Sequence, residues 1–263
     1  MLCSYYTKMA EKKKKIQLLG VDIEPLTRKE VCSRIVELLD STSFSLVVTP
    51  NAEILLVAQK DQSYRAILNS AALQLTDSIS LSYASLFLSW QWLQRTCGTD
   101  ILEFLIEQAM NRKKSILFLL PTVTLLSELE LCQFLLHHYQ KLEYRIVFAQ
   151  KDSCTPKIVS DLHQGFTPQV IICVFGAPFQ EVFLYEAEKS GLYPKVSLAI
   201  GVGGALDYVK GKRSRGPKWV QQLGFEWLWR FLQEPRYRFW RIINAVIVFP
   251  VRILLSKFMT AEK

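Results

Sequence analysis

The feature that most constrains this chain is a series of short, unbroken apolar runs. Residues 44–48 (FSLVV), 115–120 (SILFLL), 144–149 (YRIVFA), 169–175 (QVIICVF) and 196–200 (VSLAI) are apolar almost throughout. A strand with one wet face alternates polar and apolar residues, whereas a strand buried on both faces reads as a continuous apolar run. Shorter runs at 16–22 (IQLLGVD) and 71–75 (AALQL) read the same way, with a connecting turn expected at 23–26. Between them lie helical patterns. Val31, Ile35 and Leu38 share one face behind Thr27, which forms a capping box with Glu30. Further helices are expected around Ile54, Leu55 and Ala58, at 101–111, at 124–140, near 155–164, and around Val182, Tyr185 and Ala187. Strands alternating with helices imply βα units and an α/β fold on a parallel sheet.

In such a sheet ligands bind beyond the carboxyl ends of the strands. The polar residues that follow the runs are therefore the candidates: Thr49, Asn51, Asp77, Gly176, Gln180 and the loop Gly201-Val202-Gly203-Gly204. Each also has a structural reading. Asp77 suits a helix cap, Thr49 and Asn51 suit turn and N-cap positions, Gln180 suits the start of a surface helix, and the glycines suit a tight turn.

Charge narrows the partners. The formal net charge is +8, which points to nucleic acid, anionic lipid or a phosphorylated substrate. One basic block, Lys12 to Lys15, lies near the N-terminus, where residues 1–15 read as a basic tail. The larger excess begins at Lys210, where Arg213, Arg215, Lys218, Arg230, Arg236, Arg238 and Arg241 mingle with aromatic residues. Four of the six tryptophans, Trp219, Trp227, Trp229 and Trp240, fall there. Aromatic rings interleaved with Arg and Lys suit the water–lipid boundary, and a helical pair packed on the sheet with its arginines wet is the plainer reading. The mean hydropathy of +0.14 is high for a soluble chain. The longest apolar run, Ile242 to Leu255, contains Asn244, Pro250 and Arg252 and is shorter than the roughly 20 residues a membrane span needs, so no span is expected. Neither is a signal peptide. Cys3, Cys32, Cys97, Cys132, Cys154 and Cys173 are scattered without a C-x-x-C pair and read as reduced thiols of a cytosolic protein. His137, His138 and His163 lack metal-ligand spacing.

The ordered motifs resemble those of the WecG/TagA/CpsF glycosyltransferase family. Thr49-Pro50-Asn51-Ala52-Glu53 looks like its T-P-N-x-E segment, and Lys60-Asp61 through Asn69-Ser70-Ala71 continues it. Asp77 falls at the family's aspartate, Arg95, Gly98 and Asp100 match R-x-x-G-x-D, and Gly176, Pro178, Gln180 and Glu181 match G-x-P-x-Q-E. Gly201 to Ala205 with Asp207, Gly224, Glu226-Trp227, Arg230 and Glu234-Pro235 resembles the family's G-V-G-G-A-x-D, G-x-E-W and R-L-x-x-E-P blocks. The match spans about 17–241.

The resemblance implies a Rossmann-like catalytic domain, here 16–209, with a helical, basic and aromatic membrane-associating appendage at 210–263. It implies an inverting transferase that moves an N-acetylmannosamine-like sugar from a UDP-sugar donor to an amino sugar on an undecaprenyl-diphosphate carrier, in teichoic acid or cell-surface polysaccharide synthesis. No metal and no cofactor are called for, which agrees with the lack of a D-x-D arrangement. Inverting transfer needs a base for the acceptor hydroxyl, and Asp77 is the candidate, with Thr49 beside it. Asn51, Arg95, Gln180, Gly201, Gly203 and Gly204 are candidates to bind substrate. Arg230, Arg236 and Arg241 are candidates to close over the leaving diphosphate. The expected place is the cytoplasmic, inner face of the cell membrane, bound peripherally to anionic lipid, with no nucleic-acid partner and the oligomeric state open.

The chain also departs from the family pattern. Ser78 follows Asp77 in place of glycine, Pro121-Thr122-Val123-Thr124 and Gln150 to Cys154 lack expected glycines, and Phe179 stands where a lysine usually precedes the glutamine. These changes fall mainly on the donor side. A different donor sugar is the first reading, and a catalytically weak membrane-surface scaffold of the same fold is the alternative.

Overall fold

A computed structural model describes residues 14–96, 98–124, 127–209, 217, 226–233 and 235–261. The basic segment up to Lys13, Cys97 and most of 210–225 lie outside the described residues, as do the side chains of Trp227, Arg230, Arg236 and Arg238.

Six strands form one parallel sheet: β3 (Ser45–Val48), β4 (Leu73–Gln74), β5 (Ile116–Pro121), β6 (Tyr144–Ala149), β7 (Val170–Cys173) and β8 (Leu198–Gly201), in the order β4-β3-β8-β7-β5-β6. The apolar runs are buried on both faces, as their pattern requires. Within β5, Leu117 and Leu119 point into one core while Ile116, Phe118 and Leu120 point into the other. Ile171 and Cys173 likewise oppose Val170 and Ile172 in β7. Helices α1 (Arg28–Asp40), α5 (Gly98–Asn111), α6 (Glu128–His138) and α9 (Ala205–Val209) cover the second face. Helices α2 (Ala52–Lys60), α3 (Gln62–Ser70), α4 (Ile79–Ser89), α7 (Pro156–Leu162) and α8 (Phe179–Ser190) cover the first. This is the Rossmann-like α/β fold that the sequence implied.

Two local expectations change. Residues 16–22 are not one strand but an antiparallel hairpin of β1 (Ile16–Leu18) and β2 (Val21–Ile23), with Leu18 opposite Val21. Its turn residues Leu19 and Gly20 have φ of 50° and 84°. Leu19 in a left-handed conformation is not a turn signal. The hairpin is held from outside, where Asn69 donates to the Gly20 carbonyl at 2.9 Å and accepts from the Asp22 N–H at 2.9 Å. Helix α6 begins later than expected, at a second capping box in which Ser127 and Glu130 exchange hydrogen bonds.

The third change concerns the C-terminus. After α10 (Glu226–Gln233), helix α11 (Pro235–Ile243) continues through a π-helical turn (Asn244–Val248) into α12 (Phe249–Ala261). Proline inside a helix removes a hydrogen bond and clashes with the carbonyl four residues back. The π turn, where the Phe249 N–H reaches the Asn244 carbonyl, widens the helix just ahead of Pro250 and lets it pass. Asn244, Pro250 and Arg252 therefore do not interrupt the helix. Phe239–Phe258, which holds an 18-residue stretch of mean hydropathy 1.7, is long and apolar enough to cross a membrane, contrary to the expectation of no such segment. One face of it is nevertheless occupied. Phe249 and Ile253 are buried against α2 and α4, with Ala245 and Val248 beside them.

Candidate active site

Two cavities meet at the carboxyl end of the sheet. The first, about 700 Å³, is polar and sits over the ends of β3, β5, β7 and β8. The second, also about 700 Å³, is an apolar groove between α4 and the C-terminal helix. Asn51, Glu53, Asp77 and Arg241 line both.

The turn after β3 supplies the shared wall. Beyond Val48, Thr49 is buried and its hydroxyl donates to the Gly201 carbonyl at 3.2 Å, tying the ends of β3 and β8 together. Asn51 is the N-cap of α2, its side-chain oxygen accepting from the Ile54 N–H at 3.0 Å. Its structural and candidate roles thus coexist, since the residue also lines both cavities.

Asp77 is not the cap of the helix that follows it. Ser78 holds the N-cap position of α4, and the Asp77 carboxylate reaches across to accept from the Gly98 N–H, at the start of α5, at 2.9 Å. The Asp77 N–H donates to the Pro50 carbonyl at 3.1 Å, and Arg95 Nε donates to the Asp77 carbonyl at 3.3 Å. Backbone and side chain are both anchored, so the carboxylate is held where the two cavities join. Arg95 faces the groove side of this junction.

Gln180 is a clasp. Its side-chain oxygen accepts from the N–H groups of Gly176 and Gly203, each at 3.0 Å, and its amide donates to Glu181 at 2.7 Å. A substrate contact was expected of it; in this structure the buried amide joins the loops after β7 and β8, and the residue also lines the polar cavity. The glycines follow from this. A Cβ on Gly201 would lie 2.6 Å from the Gln180 amide carbon, so only glycine leaves room for the clasp. Gly203 has φ of 50°, a left-handed conformation that favours glycine. With its N–H given to Gln180, Gly203 shapes the cavity wall rather than offering that donor to phosphate, while Gly204 is exposed beside it.

Behind Gln180 lies a buried carboxyl. Glu181 is fully buried and accepts from the Tyr64 hydroxyl at 3.0 Å. Burial raises its pKa above the ordinary carboxylate range, against the pull of its hydrogen bonds. Burial, with Glu181 beside it, also pushes the Tyr64 hydroxyl up.

Arg241 is brought to the junction from the C-terminal helix, where Nε meets a Glu53 carboxylate oxygen at 2.7 Å. Arg230 lies on α10 and Arg236 on α11, and their side chains fall outside the described residues. Sequence reasoning passed over Glu53, Lys151 and Tyr64. Glu53 sits within T-P-N-x-E, but nothing local pairs it with an arginine far along the chain. Lys151, on the short 3-10 turn Lys151–Ser153, lines the polar cavity with its ammonium 5.6 Å from the Phe179 ring centroid. Among the described residues no group of three or more His, Cys, Asp or Glu is placed to hold a metal ion.

A profile of the glycosyl transferase WecG/TagA/CpsF family matches residues 16–263. The chain belongs to this family. A protein of Bacillus spizizenii (strain ATCC 23059 / NRRL B-14472 / W23), N-acetylglucosaminyldiphosphoundecaprenol N-acetyl-beta-D-mannosaminyltransferase, is 26% identical over 226 residues, covering 85% of this chain and 84% of its own length. The protein of the same name from Bacillus subtilis (strain 168) is 26% identical over 209 residues, 78% of each chain.

Phe179 carries no charge where a lysine was expected, yet Lys151 brings an ammonium over its ring from the loop after β6.

Proposed function

We propose that this glycosyltransferase moves an N-acetylmannosamine-like sugar from a UDP-sugar to an amino sugar on undecaprenyl diphosphate, with inversion, at the inner face of the cell membrane. The products would feed teichoic acid or another cell-surface polysaccharide. The observation that carries this reading is the Asp77 carboxylate, fixed where a polar cavity meets an apolar groove. A transferase that joins a water-borne nucleotide sugar to a lipid-borne sugar needs those two environments on either side of one base.

In the proposed reaction Asp77 takes the proton of the acceptor hydroxyl. The freed oxygen pair attacks the anomeric carbon from the side opposite the UDP. The new glycosidic bond forms as the carbon–oxygen bond to the diphosphate breaks, and UDP leaves with that electron pair. Thr49 and Asn51 hold the floor beside the base. Lys151 and Arg241 supply positive charge near the leaving diphosphate, with Arg230 and Arg236 as further candidates. The relatives' acceptor, a diphosphoundecaprenol-linked sugar by their names, supports a lipid-linked acceptor here. Trp240, Ile247, Val251 and Leu255 are exposed along the outer face of the C-terminal helix, which supports peripheral contact with the bilayer. Arg252 and Lys257 beside them would add about 1 kcal/mol each on an anionic leaflet.

The test is UDP release from UDP-N-acetylmannosamine and other UDP-sugars by the full chain in detergent micelles with an N-acetylglucosaminyl polyprenyl diphosphate acceptor. Release is expected to depend on the acceptor. In Asp77→Asn, which keeps an acceptor for the Gly98 N–H, it is expected to drop about 10²- to 10⁴-fold, the range for losing a general base. An undiminished rate in the variant would remove Asp77 from that role. No release with any UDP-sugar, alongside retained liposome binding, would leave the scaffold reading.

A further inference from the structure

We propose that the apolar groove between α4 and the C-terminal helix is the binding site for the lipid chain of the acceptor, taking its head-proximal isoprene units and leading the rest into the bilayer. This rests on the transferase reading above and assigns a part of the acceptor to a part of the chain.

The groove has the composition of a site for a long apolar chain with an anionic head. Tyr83 and Phe87 of α4 line one side and Val246 and Leu254 of the C-terminal helix the other, over the buried Phe249 and Ile253. Its polar residues gather at one end, where Asn51, Glu53, Asp77 and Arg241 are shared with the polar cavity. A molecule with its sugar diphosphate at this junction has its hydrocarbon tail pointing down the groove. The helix that makes the outer wall is pinned at two places. Arg241 meets Glu53 at 2.7 Å near the junction. Lys257 donates to the Phe87 carbonyl at 3.1 Å, with its ammonium 4.1 Å from that residue's ring centroid, at the other end. From Arg241 to Lys257 the helix runs about 24 Å at 1.5 Å per residue, long enough for several isoprene units. Ala84 and Ala245 are the small residues that leave the space open. Trp90, at the end of α4, and Phe258, one residue past Lys257, are bare apolar surface, where a chain leaving the groove would meet lipid rather than water.

The experiment compares acceptors that carry the same sugar diphosphate on a long polyprenyl chain or on a single isoprene unit, at fixed detergent concentration, in wild type, Ala84→Trp and Ala245→Trp. In wild type kcat/KM is expected to favour the long chain at least about tenfold, the factor that burying two methylene groups supplies. In both variants that ratio should collapse toward one. A wild-type ratio near one, or a ratio that survives both substitutions, overturns the proposal. A second measurement stands apart from turnover and from the variants' folding. A photoreactive polyprenyl diphosphate is crosslinked to the wild-type full chain in micelles. Labelling confined to peptides of 79–89 and 245–254, and competed by polyprenyl diphosphate but not by phosphatidylglycerol, supports the groove even if no UDP-sugar is turned over. Labelling elsewhere, or equal competition by the phospholipid, rules it out even if the enzyme transfers sugar.

Discussion

The polar cavity and the apolar groove are of similar volume and share four residues, yet they are built by opposite means. The polar cavity is made of loops at strand ends whose polar atoms are engaged with one another. Thr49 is bonded to the Gly201 carbonyl, Asn51 to the start of α2, and Gln180 to both glycine loops. The groove is made of two helices whose inner side chains pack while their outer ones stay bare. It is tied by two partly exposed contacts, Arg241 to Glu53 and Lys257 to Phe87. A connected network of hydrogen bonds favours one geometry. A helix held by a few apolar contacts and surface pairs opens locally at lower free energy. The difference fits the two proposed tasks: a reacting centre needs fixed positions, and a wall for a lipid chain needs to yield.

The largest effect that tests this contrast is at the clasp. Gln180→Ala leaves the part-buried Gly176 and Gly203 N–H groups and the buried Glu181 carboxyl without their Gln180 partner, and an unpaired buried group costs about 1–3 kcal/mol. Urea unfolding should show a loss of about 1–3 kcal/mol, with weaker calorimetric binding of the UDP proposed as leaving group. A loss under about 0.5 kcal/mol, the usual scale of a surface substitution, would show that the polar cavity is no more rigidly built than the groove.

Glu53→Gln should act on the other region and more weakly. The pair is partly exposed on both sides, so the stability lost should stay below about 1 kcal/mol. Hydrogen exchange should instead quicken along 235–261 while the amides of β3, β7 and β8 keep their protection. Equal changes in both places would mean that the groove wall and the sheet open as one unit.

The smallest effect concerns pH. The native Glu181 carboxyl has a pKa raised by burial, so the folded protein keeps this proton where the unfolded chain has released it. Its contribution is therefore fully present below the ordinary value of 4.5 and is lost as pH climbs through the raised folded value. Glu181→Gln removes the titration. The melting temperature of wild type minus that of the variant should decline as pH rises from about 4, the ordinary range of a glutamate. A difference that stays constant with pH would show that the buried carboxyl does not titrate across that range.

Much of this protein was legible in its sequence because burial leaves a local pattern. Apolar runs such as SILFLL reported strands covered on both faces, and Thr27 with Glu30 reported a helix start. The candidate residues Thr49, Asn51, Asp77 and Gly203 come from strand ends and ordered motifs and Arg241 from the family resemblance, and the fold brings them around the polar cavity. These signals are readable because backbone geometry and one-face burial depend on neighbours close in sequence.

What the tertiary structure alone decided are the pairings across distance. Asn69 makes a hairpin of 16–23, where the run IQLLGVD shows no turn. Asp77 caps α5 rather than the helix beside it. Gln180 spends its amide on two loops, and Glu53 meets Arg241 across 188 residues. The C-terminal helix passes Pro250 because a π turn precedes it, and it lies along α4 to form a groove that no segment encodes by itself. Hydrogen bonds and cavities of this kind depend on where distant elements come to rest, and a local sequence pattern carries no record of that.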